Sequence, residues 1–268
     1  MIPALKPLRF FLKFRKLRSR FSILEMHCTS SLFKFLFTWA YGSRLTFIPI
    51  TEFPSEGVSR WARVETAEGR LTIVVVTYRQ PAALECLLSS LCCQTLQNFE
   101  VLVIHDGPDA ETREVVERFA ARSMRYRYME TPTRFNDYGH SLRAIGIEAA
   151  TGDFLLIANG DNYYTPRFTE FVFEAVARHD LDVALWNFVH SHNRPGGLNL
   201  KSYSPFDVYP ARLMCDIGSV LVRTELAKKV GFADRSHDAD ATYLEDLLAL
   251  PGVSLRIGKI EKTLMVHN

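Results

Sequence analysis

Three polar side chains are packed into four positions of the sequence, directly after an apolar run. The stretch IANGDNYYTP, residues 157–166, contains Asn159, Asp161 and Asn162. A carboxylate between two amides can hold a divalent cation, because Mg²⁺ and Mn²⁺ prefer oxygen ligands. The same residues can instead form a polar turn, since Asn-Gly is a turn signal and Pro166 suits the start of a helix. The surrounding elements decide between these interpretations.

Short β-rich runs alternate with helical stretches from residue 71 onward. The runs are LTIVVVTY (71–78), FEVLVIHD (99–106), RYRYME (125–130), DFLLIANG (153–160) and DVALWNFV (182–189). Continuous apolar strands separated by helices are typical of a mostly parallel sheet that is covered on both faces. We therefore predict an α/β fold with one Rossmann-like domain over residues 71–268.

The segments between these runs predict the covering helices. In PAALECLLSSLCCQTL, Pro81 suits a first helical turn. Four leucines of that segment lie on one stripe: Leu84, Leu87, Leu88 and Leu91. AETREVVERFAAR and GHSLRAIGIEAATG supply two further helices, and we expect Gly152 to end the second as a left-handed cap.

Ligands of open α/β sheets collect at the carboxyl ends of the strands, where the strand order reverses. The polar residues that follow the predicted strands are Thr77, Tyr78, Arg79, His105, Asp106, Asp109, Asn159, Asp161 and Asn162. The sequence has no G-x-G-x-x-G after the first strand and no G-x-x-x-x-G-K-[ST] motif. Dinucleotide-binding and P-loop functions therefore lose their main support.

Five motifs, in this order, resemble the family 2 glycosyltransferases of the GT-A fold. They are TIVVVTYRQPAALECLLSSLCCQTLQNFEVLVIHDGPDAET, GHSLRAIGIEAATGDFLLIANGDN, YYTPRFTEF, DIGSVLVRTELAKKVGF and YLEDLL. The resemblance covers about residues 71–268 and implies a GT-A-like domain there. It implies that a sugar is transferred from a nucleotide-diphospho sugar to an acceptor hydroxyl, with inversion and with a divalent metal, Mn²⁺ or Mg²⁺.

The resemblance also implies which residues hold the metal. Asp161 stands at the second Asp of the family's D-x-D motif, and Asn159 stands at the first. An amide oxygen can coordinate the ion but brings no charge, so a further ligand is needed. His267 lies where several GT-A enzymes place a C-terminal His on the metal, and it is our candidate. A surface position for this penultimate His is the alternative.

A general base is implied as well, because the acceptor hydroxyl must lose its proton. Glu245 and Asp246 match the family's E-D pair, in which the Asp is usually the base. We predict Asp246 as the base, with Glu245 orienting it or sharing the task. Asp238 and Asp240 are the fallback bases. The pair can also be a solvated helix face.

Binding of the donor nucleotide falls to the first two strand ends and their neighbours. By the resemblance, the binding residues are Thr77, Tyr78, Arg79, His105, Asp106, Arg143, Asn159 and Gly160. His105 replaces the first Asp of the family's D-D-G-S, which often pairs with the uracil N3–H, so UDP is only the default nucleotide. Arg143 is placed for a charge-assisted contact with the diphosphate.

Two other functions stay open. The first is a non-catalytic relative that serves as a subunit or scaffold, which Asn159, Asn162 and His105 motivate. The second is a sugar-phosphate nucleotidyltransferase on a similar fold. Those enzymes carry a Gly-rich loop after the first strand, and VTYRQPAAL has no glycine there.

The N-terminal residues differ in charge from the remainder. Residues 1–50 hold nine Lys or Arg and one Glu, whereas the whole chain has a formal net charge of +2. Apolar residues of LRFFLKFRKLRSRF, 8–21, recur on one helical face beside cations: Phe10, Phe14, Leu17 and Phe21. We predict a basic amphipathic arm over 1–50, which contacts a membrane surface through 8–21, and a linker over 51–70. Another protein is the second choice of partner, and nucleic acid, the least favoured, is not predicted.

The sequence of the same region predicts no spanning helix and no cleavable signal. Lys34 and Arg44 divide the apolar residues 26–50 into short runs, and scattered cations leave no separate signal core.

The five cysteines form no ligand-spaced cluster, so we predict that they are reduced core residues, with Cys92 and Cys93 in a buried helix. We predict a cytoplasmic protein, peripheral on the inner face of the cytoplasmic membrane, with a carbohydrate or lipid-linked acceptor in polysaccharide or glycolipid biosynthesis.

Overall fold

The computed structural model describes residues 44–53, 70–191 and 201–268. The strands are β1 Leu45–Ile50, β2 Leu71–Thr77, β3 Phe99–His105, β4 Tyr126–Glu130, β5 Phe154–Asn159, β6 Tyr163–Tyr164, β7 Val183–His190, β8 Pro205–Phe206, β9 Val220–Arg223 and β10 Leu255–His267. The helices are α1 Pro81–Cys92, α2 Ala110–Ala120, α3 His140–Ala149, α4 Phe168–His179, α5 Thr224–Val230 and α6 Ala239–Leu248. A short 3-10 helix, Ile217–Ser219, precedes β9.

The described strands form one sheet. Its order is β1-β10-β7-β9-β5-β2-β3-β4, with β6 added to β10 and β8 added to β7. The main strands pair in parallel, except that β9 runs antiparallel to both β5 and β7. The predicted α/β fold with a mostly parallel central sheet is therefore confirmed.

The five predicted strands correspond to β2, β3, β4, β5 and β7. Every residue of β2 and β3 is buried. The predicted leucine stripe of α1 is fully buried as well. Cys86, Cys92 and Cys93 are exposed, contrary to the prediction that the cysteines are core residues, because the leucines occupy the buried side of α1.

The sheet begins earlier in the chain than the predicted domain. β1 pairs in parallel with β10, from Leu45 opposite Leu255 to Ile50 opposite Ile260. Leu45, Phe47 and Ile50 are buried in the core. Residues 45–50, which the sequence analysis placed in the arm, thus belong to the sheet. The amphipathic segment 8–21 and most of the linker lie outside the described residues.

Gly152 does not cap α3. The helix ends at Ala149, and the next residue, Ala150, has φ −64° and ψ 133°, an extended conformation. Gly152 is buried where a Cβ would lie 2.4 Å from the backbone oxygen of Arg70. The glycine is therefore required by the close approach of two backbones at the start of β2.

Within the described ranges, no helix is both long enough and apolar enough to cross a membrane.

Candidate active site

One edge of the sheet gathers the ends of five strands. β2, β3 and β5 pair in parallel, and so do β7 and β10. Because β9 is antiparallel to both β5 and β7, these two groups point the same way. Their carboxyl ends therefore share one edge with the 3-10 helix that precedes β9. The last residues of these strands are Thr77, His105, Asn159, His190 and His267.

The stretch that follows β5 is a tight turn. Asn162 is buried and its Oδ1 accepts a hydrogen bond from the Asn159 backbone N–H at 2.9 Å. The Gly160 N–H donates to the Val76 backbone oxygen at 2.9 Å. A Cβ on Gly160 would lie 2.6 Å from Thr77 Oγ1, so only glycine fits there. The turn brings Asp161 to the edge, and the hydrogen bond to the Asn162 side chain stabilises the turn.

Asp161 lies in the electrostatic field of a carboxylate–imidazole pair. His267 Nε2 is 3.2 Å from Asp216 Oδ2, and Asp216 Oδ1 accepts from the Gly218 N–H at 2.8 Å. Burial raises the pKa of Asp161 above its usual value, although the His267 charge opposes this. The side chain of His267 is only 17% exposed, so it is not a surface residue.

The pKa values of the pair show its mutual stabilisation. Burial alone would raise the pKa of Asp216, but the hydrogen bond and charge of His267 hold it below its usual value. Burial alone would lower the pKa of His267, but Asp216 raises it above its usual value. The sequence analysis did not select Asp216, which lies inside the motif DIGSVLVRTELAKKVGF. Only the insertion of β9 between β5 and β7 brings it to the edge.

A buried arginine connects the edge to the start of α6. Arg143 Nη1 donates to Asp240 Oδ1 at 2.5 Å, and Arg143 Nη2 donates to Asn159 Oδ1 at 3.0 Å. Burial raises the pKa of Asp240 above its usual value, although the Arg143 charge opposes this. Asp240, a fallback base in the sequence analysis, therefore lies at the edge beside the turn.

The predicted base lies elsewhere on α6. Asp246 is exposed and is six residues beyond Asp240, about 9 Å along the helix axis and about 120° around it. Glu245 is held by Arg212, whose Nε and Nη2 each donate to its carboxylate at 2.9 Å. The structure thus brings Asp240 to the turn and leaves Asp246 on a solvated helix side.

Both ring nitrogens of His105 form hydrogen bonds with the protein backbone. Its Nε2 accepts from the Arg79 N–H at 2.9 Å, and its Nδ1 lies 2.7 Å from the Gly107 backbone oxygen. Because Nε2 accepts, the ring proton is on Nδ1 and donates to Gly107. Both nitrogens are therefore used within the protein. His105 holds Arg79, which has the left-handed φ of 49°, rather than offering a nitrogen to a base.

Asp106 positions the loop between β4 and α3. Its carboxylate accepts from the backbone N–H groups of Phe135 at 2.7 Å and Asn136 at 3.0 Å. The loop places the guanidinium of Arg134 over the ring of Tyr78, 3.8 Å from its centroid. Tyr78 in turn stacks near His105, with centroids 5.7 Å apart. Tyr78 and Arg134 form an aromatic and cationic surface at the ends of β2 and β3.

The described side chains do not form a closed metal site. Within the described ranges, no group of three or more His, Cys, Asp or Glu side chains can hold a metal ion. Asp161, Asp216 and His267 are nevertheless the types of donor that Mn²⁺ and Mg²⁺ accept. An ion would need further oxygen ligands, which a diphosphate can supply.

The chain is similar in sequence to a known glycosyltransferase. Glycosyltransferase GlyA of Streptococcus pneumoniae serotype 4 (strain ATCC BAA-334 / TIGR4) is 23% identical over 131 residues. The aligned part is 49% of this chain and 18% of GlyA, so this chain spans a minor part of that relative's length.

Solved structures show the same fold. The crystal structure of S. aureus TarS 1-349 in complex with UDP has a TM-score of 0.60 and 19% identity, covering 74% of this chain and 60% of that one. The mannosyltransferase PcManGT from Pyrobaculum calidifontis, in complex with GDP-Man and Mn2+, has a TM-score of 0.56 and 17% identity, covering 75% and 57%. The family model Glycosyl transferase family 2 matches residues 72–216, more than half of the chain. The resemblance noted in the sequence is thus confirmed, and the chain belongs to glycosyl transferase family 2.

Proposed function

We propose that this chain transfers a sugar from a nucleotide-diphospho sugar to an acceptor hydroxyl, with inversion at the anomeric carbon. The observation that carries the proposal is the arrangement at the sheet edge, where Arg143 joins Asp240 to Asn159 beside Asp161. The arrangement supplies a carboxylate to accept the acceptor's proton and oxygen ligands for a divalent cation that would stabilise the leaving diphosphate. Both are needed in a direct displacement.

Asp240 is the proposed general base. A carboxylate is a better base when its pKa is closer to the working pH, and burial raises the pKa of Asp240. Its ion pair with Arg143 keeps it in place at the N-terminal turn of α6. Asp246 is instead exposed on another side of α6, so Asp240 replaces it in this proposal.

Asp161 and His267 are the proposed ligands of a divalent metal, and Asp216 orients His267. A carboxylate that binds a ligating imidazole fixes its ring, which is a common arrangement around protein metals. Bound Mn²⁺ or Mg²⁺ would neutralise charge on the leaving diphosphate. Asn159 already accepts from Arg143, so we propose that it holds the guanidinium rather than the ion.

The donor nucleotide would lie over the ends of β2 and β3. Thr77, Tyr78 and Gly160 line this part of the edge, while His105 and Asp106 hold the loops that shape it. TarS was crystallised with UDP and PcManGT with GDP-Man, which supports a nucleotide-sugar donor. A carbohydrate or lipid-linked acceptor at the inner face of the cytoplasmic membrane remains our proposal, supported by the basic arm.

Transfer assays with purified protein test this function. The protein is incubated with UDP-, GDP- and dTDP-sugars, Mn²⁺ and a panel of carbohydrate and lipid-linked acceptors, and donor binding is followed by calorimetry. We expect Mn²⁺-dependent binding of one nucleotide class and release of its nucleoside diphosphate. Absence of binding to every donor would contradict the proposal and favour a non-catalytic subunit.

A further inference from the structure

Arg143 has a third partner that the proposed chemistry does not use. Besides Asp240 and Asn159, its guanidinium contacts His140, whose Nδ1 lies 2.7 Å from Arg143 Nη1. Both residues are almost fully buried, with 2% exposure for His140 and 4% for Arg143. His140 is the first residue of α3 and is one turn from Arg143. The sequence motifs gave no role to this histidine.

The contact fixes the protonation of the imidazole. A guanidinium only donates hydrogen bonds, so Nδ1 must accept and the ring proton must be on Nε2. Nε2 lies 2.8 Å from the backbone oxygen of Ser236 and donates to it. Burial and the Arg143 charge lower the pKa of His140, which keeps the ring neutral near pH 7.

The same ring joins two separate parts of the site. Ser236 belongs to the segment that leads into α6, where Asp240 lies. Phe232, from the same segment, stacks on His140 with ring centroids 5.4 Å apart. His140 therefore connects the start of α3, which carries Arg143, with the segment that carries the proposed base.

We propose that His140 is a positioning residue that fixes the Arg143 guanidinium between Asn159 and Asp240. By accepting from Nη1, His140 shares the nitrogen that also binds Asp240. An arginine without this restraint can turn to make a bidentate ion pair with a carboxylate, which is a stronger contact. Such a pair would reduce the basicity of Asp240 and draw the guanidinium away from Asn159.

This assignment rests on the proposed function only in that Asp240 is the base. The simpler alternative is that the His140 ring fills space and packs on Phe232. Two substitutions separate these roles. His140→Phe keeps an aromatic ring against Phe232 but loses both hydrogen bonds. His140→Gln loses the ring but keeps an amide oxygen to accept from Arg143 and an amide N–H to donate to Ser236.

Steady-state kinetics of the full chain provide the test, with His179→Phe and His179→Gln in α4 as matched controls. We expect His140→Phe to lower kcat by about 10- to 100-fold, since small displacements of catalytic groups have effects of this size. The donor KM should stay within about twofold, and His140→Gln should recover most of kcat. A His140→Phe protein with native kcat, or a Gln variant less active than the Phe variant, would overturn the assignment.

A spectroscopic measurement tests the hydrogen bond between Arg143 and His140 without an activity assay. The ¹⁵N spectrum of the His140 imidazole in the native protein should show one neutral tautomer, protonated on Nε2. A proton on Nδ1 would overturn the assignment, whether or not His140→Phe folds. A native protein without transferase activity would overturn the proposed function, while this spectrum would still decide whether Arg143 binds His140.

Discussion

At the scale of single residues, the site differs from the motif it resembles in where its charges lie. Asn159 brings no charge and accepts from Arg143, while Asp216 adds a carboxylate from a different part of the chain. The resemblance to the family predicted Asp161 and His267 as candidate ligands. The motifs could not predict Asp216 or the position of Asp240, because both depend on contacts between residues far apart in sequence.

Restoring a carboxylate at position 159 should strengthen metal binding. Asn159 uses its one acceptor oxygen to hold Arg143, whereas Asn159→Asp has two oxygens, so that one can stay on Arg143 and the other can face the ion. Cation affinity rises with the number of charged ligands. We expect the affinity for Mn²⁺ in the presence of UDP to rise by about tenfold or more. Calorimetry measures this directly, with Asn136→Asp on the exposed loop as the charge-matched control. An unchanged affinity would mean that position 159 does not face the ion.

Removing the charge of Asp216 should lower the pKa of His267. In the native protein, the hydrogen bond and charge of Asp216 outweigh burial and raise this pKa. In Asp216→Asn the imidazole keeps the burial but loses its counter-charge, so protonation should require a more acidic pH. Titration by NMR without added metal measures the shift. Asp238→Asn, on an exposed side chain, should leave His267 unaffected, and an equal shift in both variants would contradict the pairing.

At the scale of elements, the sequence predicted the strands and helices that have a local pattern of apolar residues. The apolar runs became β2, β3, β4, β5 and β7, and the leucine stripe became the buried face of α1. β10 was missed because Arg256, Lys259, Glu261 and Lys262 interrupt its apolar residues. β1 was missed because its pairing with β10 joins segments about two hundred residues apart, which no local pattern reports.

The stability of the sheet should depend on β1. Phe47 is 2% exposed, and truncation of a buried Phe to Ala costs about 3–5 kcal/mol of unfolding free energy. We expect this loss for Phe47→Ala in urea unfolding, and a change of less than about 0.5 kcal/mol for the exposed Thr46→Ala. Equal unfolding free energies for Phe47→Ala and Thr46→Ala would mean that residues 45–50 are not part of the folded domain.

Glu100 in β3 should make stability depend on pH. Burial alone would raise its pKa, but hydrogen bonds from Thr151 and Thr72 and the charges of Arg127 and Arg70 hold it below the usual 4.5. A depressed carboxyl pKa contributes stability above the unfolded value, which is lost as pH falls through the folded value. Glu100→Gln should therefore be less stable than the native protein at pH 7, by about 1–3 kcal/mol.

The difference should disappear in acid. Below the folded pKa of Glu100, the native side chain is protonated and resembles Gln. Urea unfolding at a series of pH values measures this, with the exposed Glu114→Gln as the control. A stability difference that is the same at pH 7 and in acid would show that the charge of Glu100 is not stabilising.

At the scale of the whole molecule, the sheet explains why distant motifs meet. The antiparallel β9 lies between β5 and β7, so the turn after β5, the segment before β9 and the end of β10 share one edge. α6 then adds Asp240 through Arg143. Strand-end motifs in family order predicted the edge and the family. The E-D motif match selected Asp246 as the carboxylate of α6 at this edge. In the structure, Asp240 in the first turn of α6 contacts Arg143 there, whereas Asp246 is exposed.

The most direct test of the account compares these two carboxylates. Asp240→Asn and Asp246→Asn are measured side by side for kcat with the donor and acceptor found active in the transfer assays. If Asp240 is the base, its variant should lose about 10²–10⁴-fold in kcat, the usual contribution of a general base, while still binding the donor. Asp246→Asn should keep near-native kcat. Full activity of Asp240→Asn, or loss of activity only in Asp246→Asn, would contradict the account.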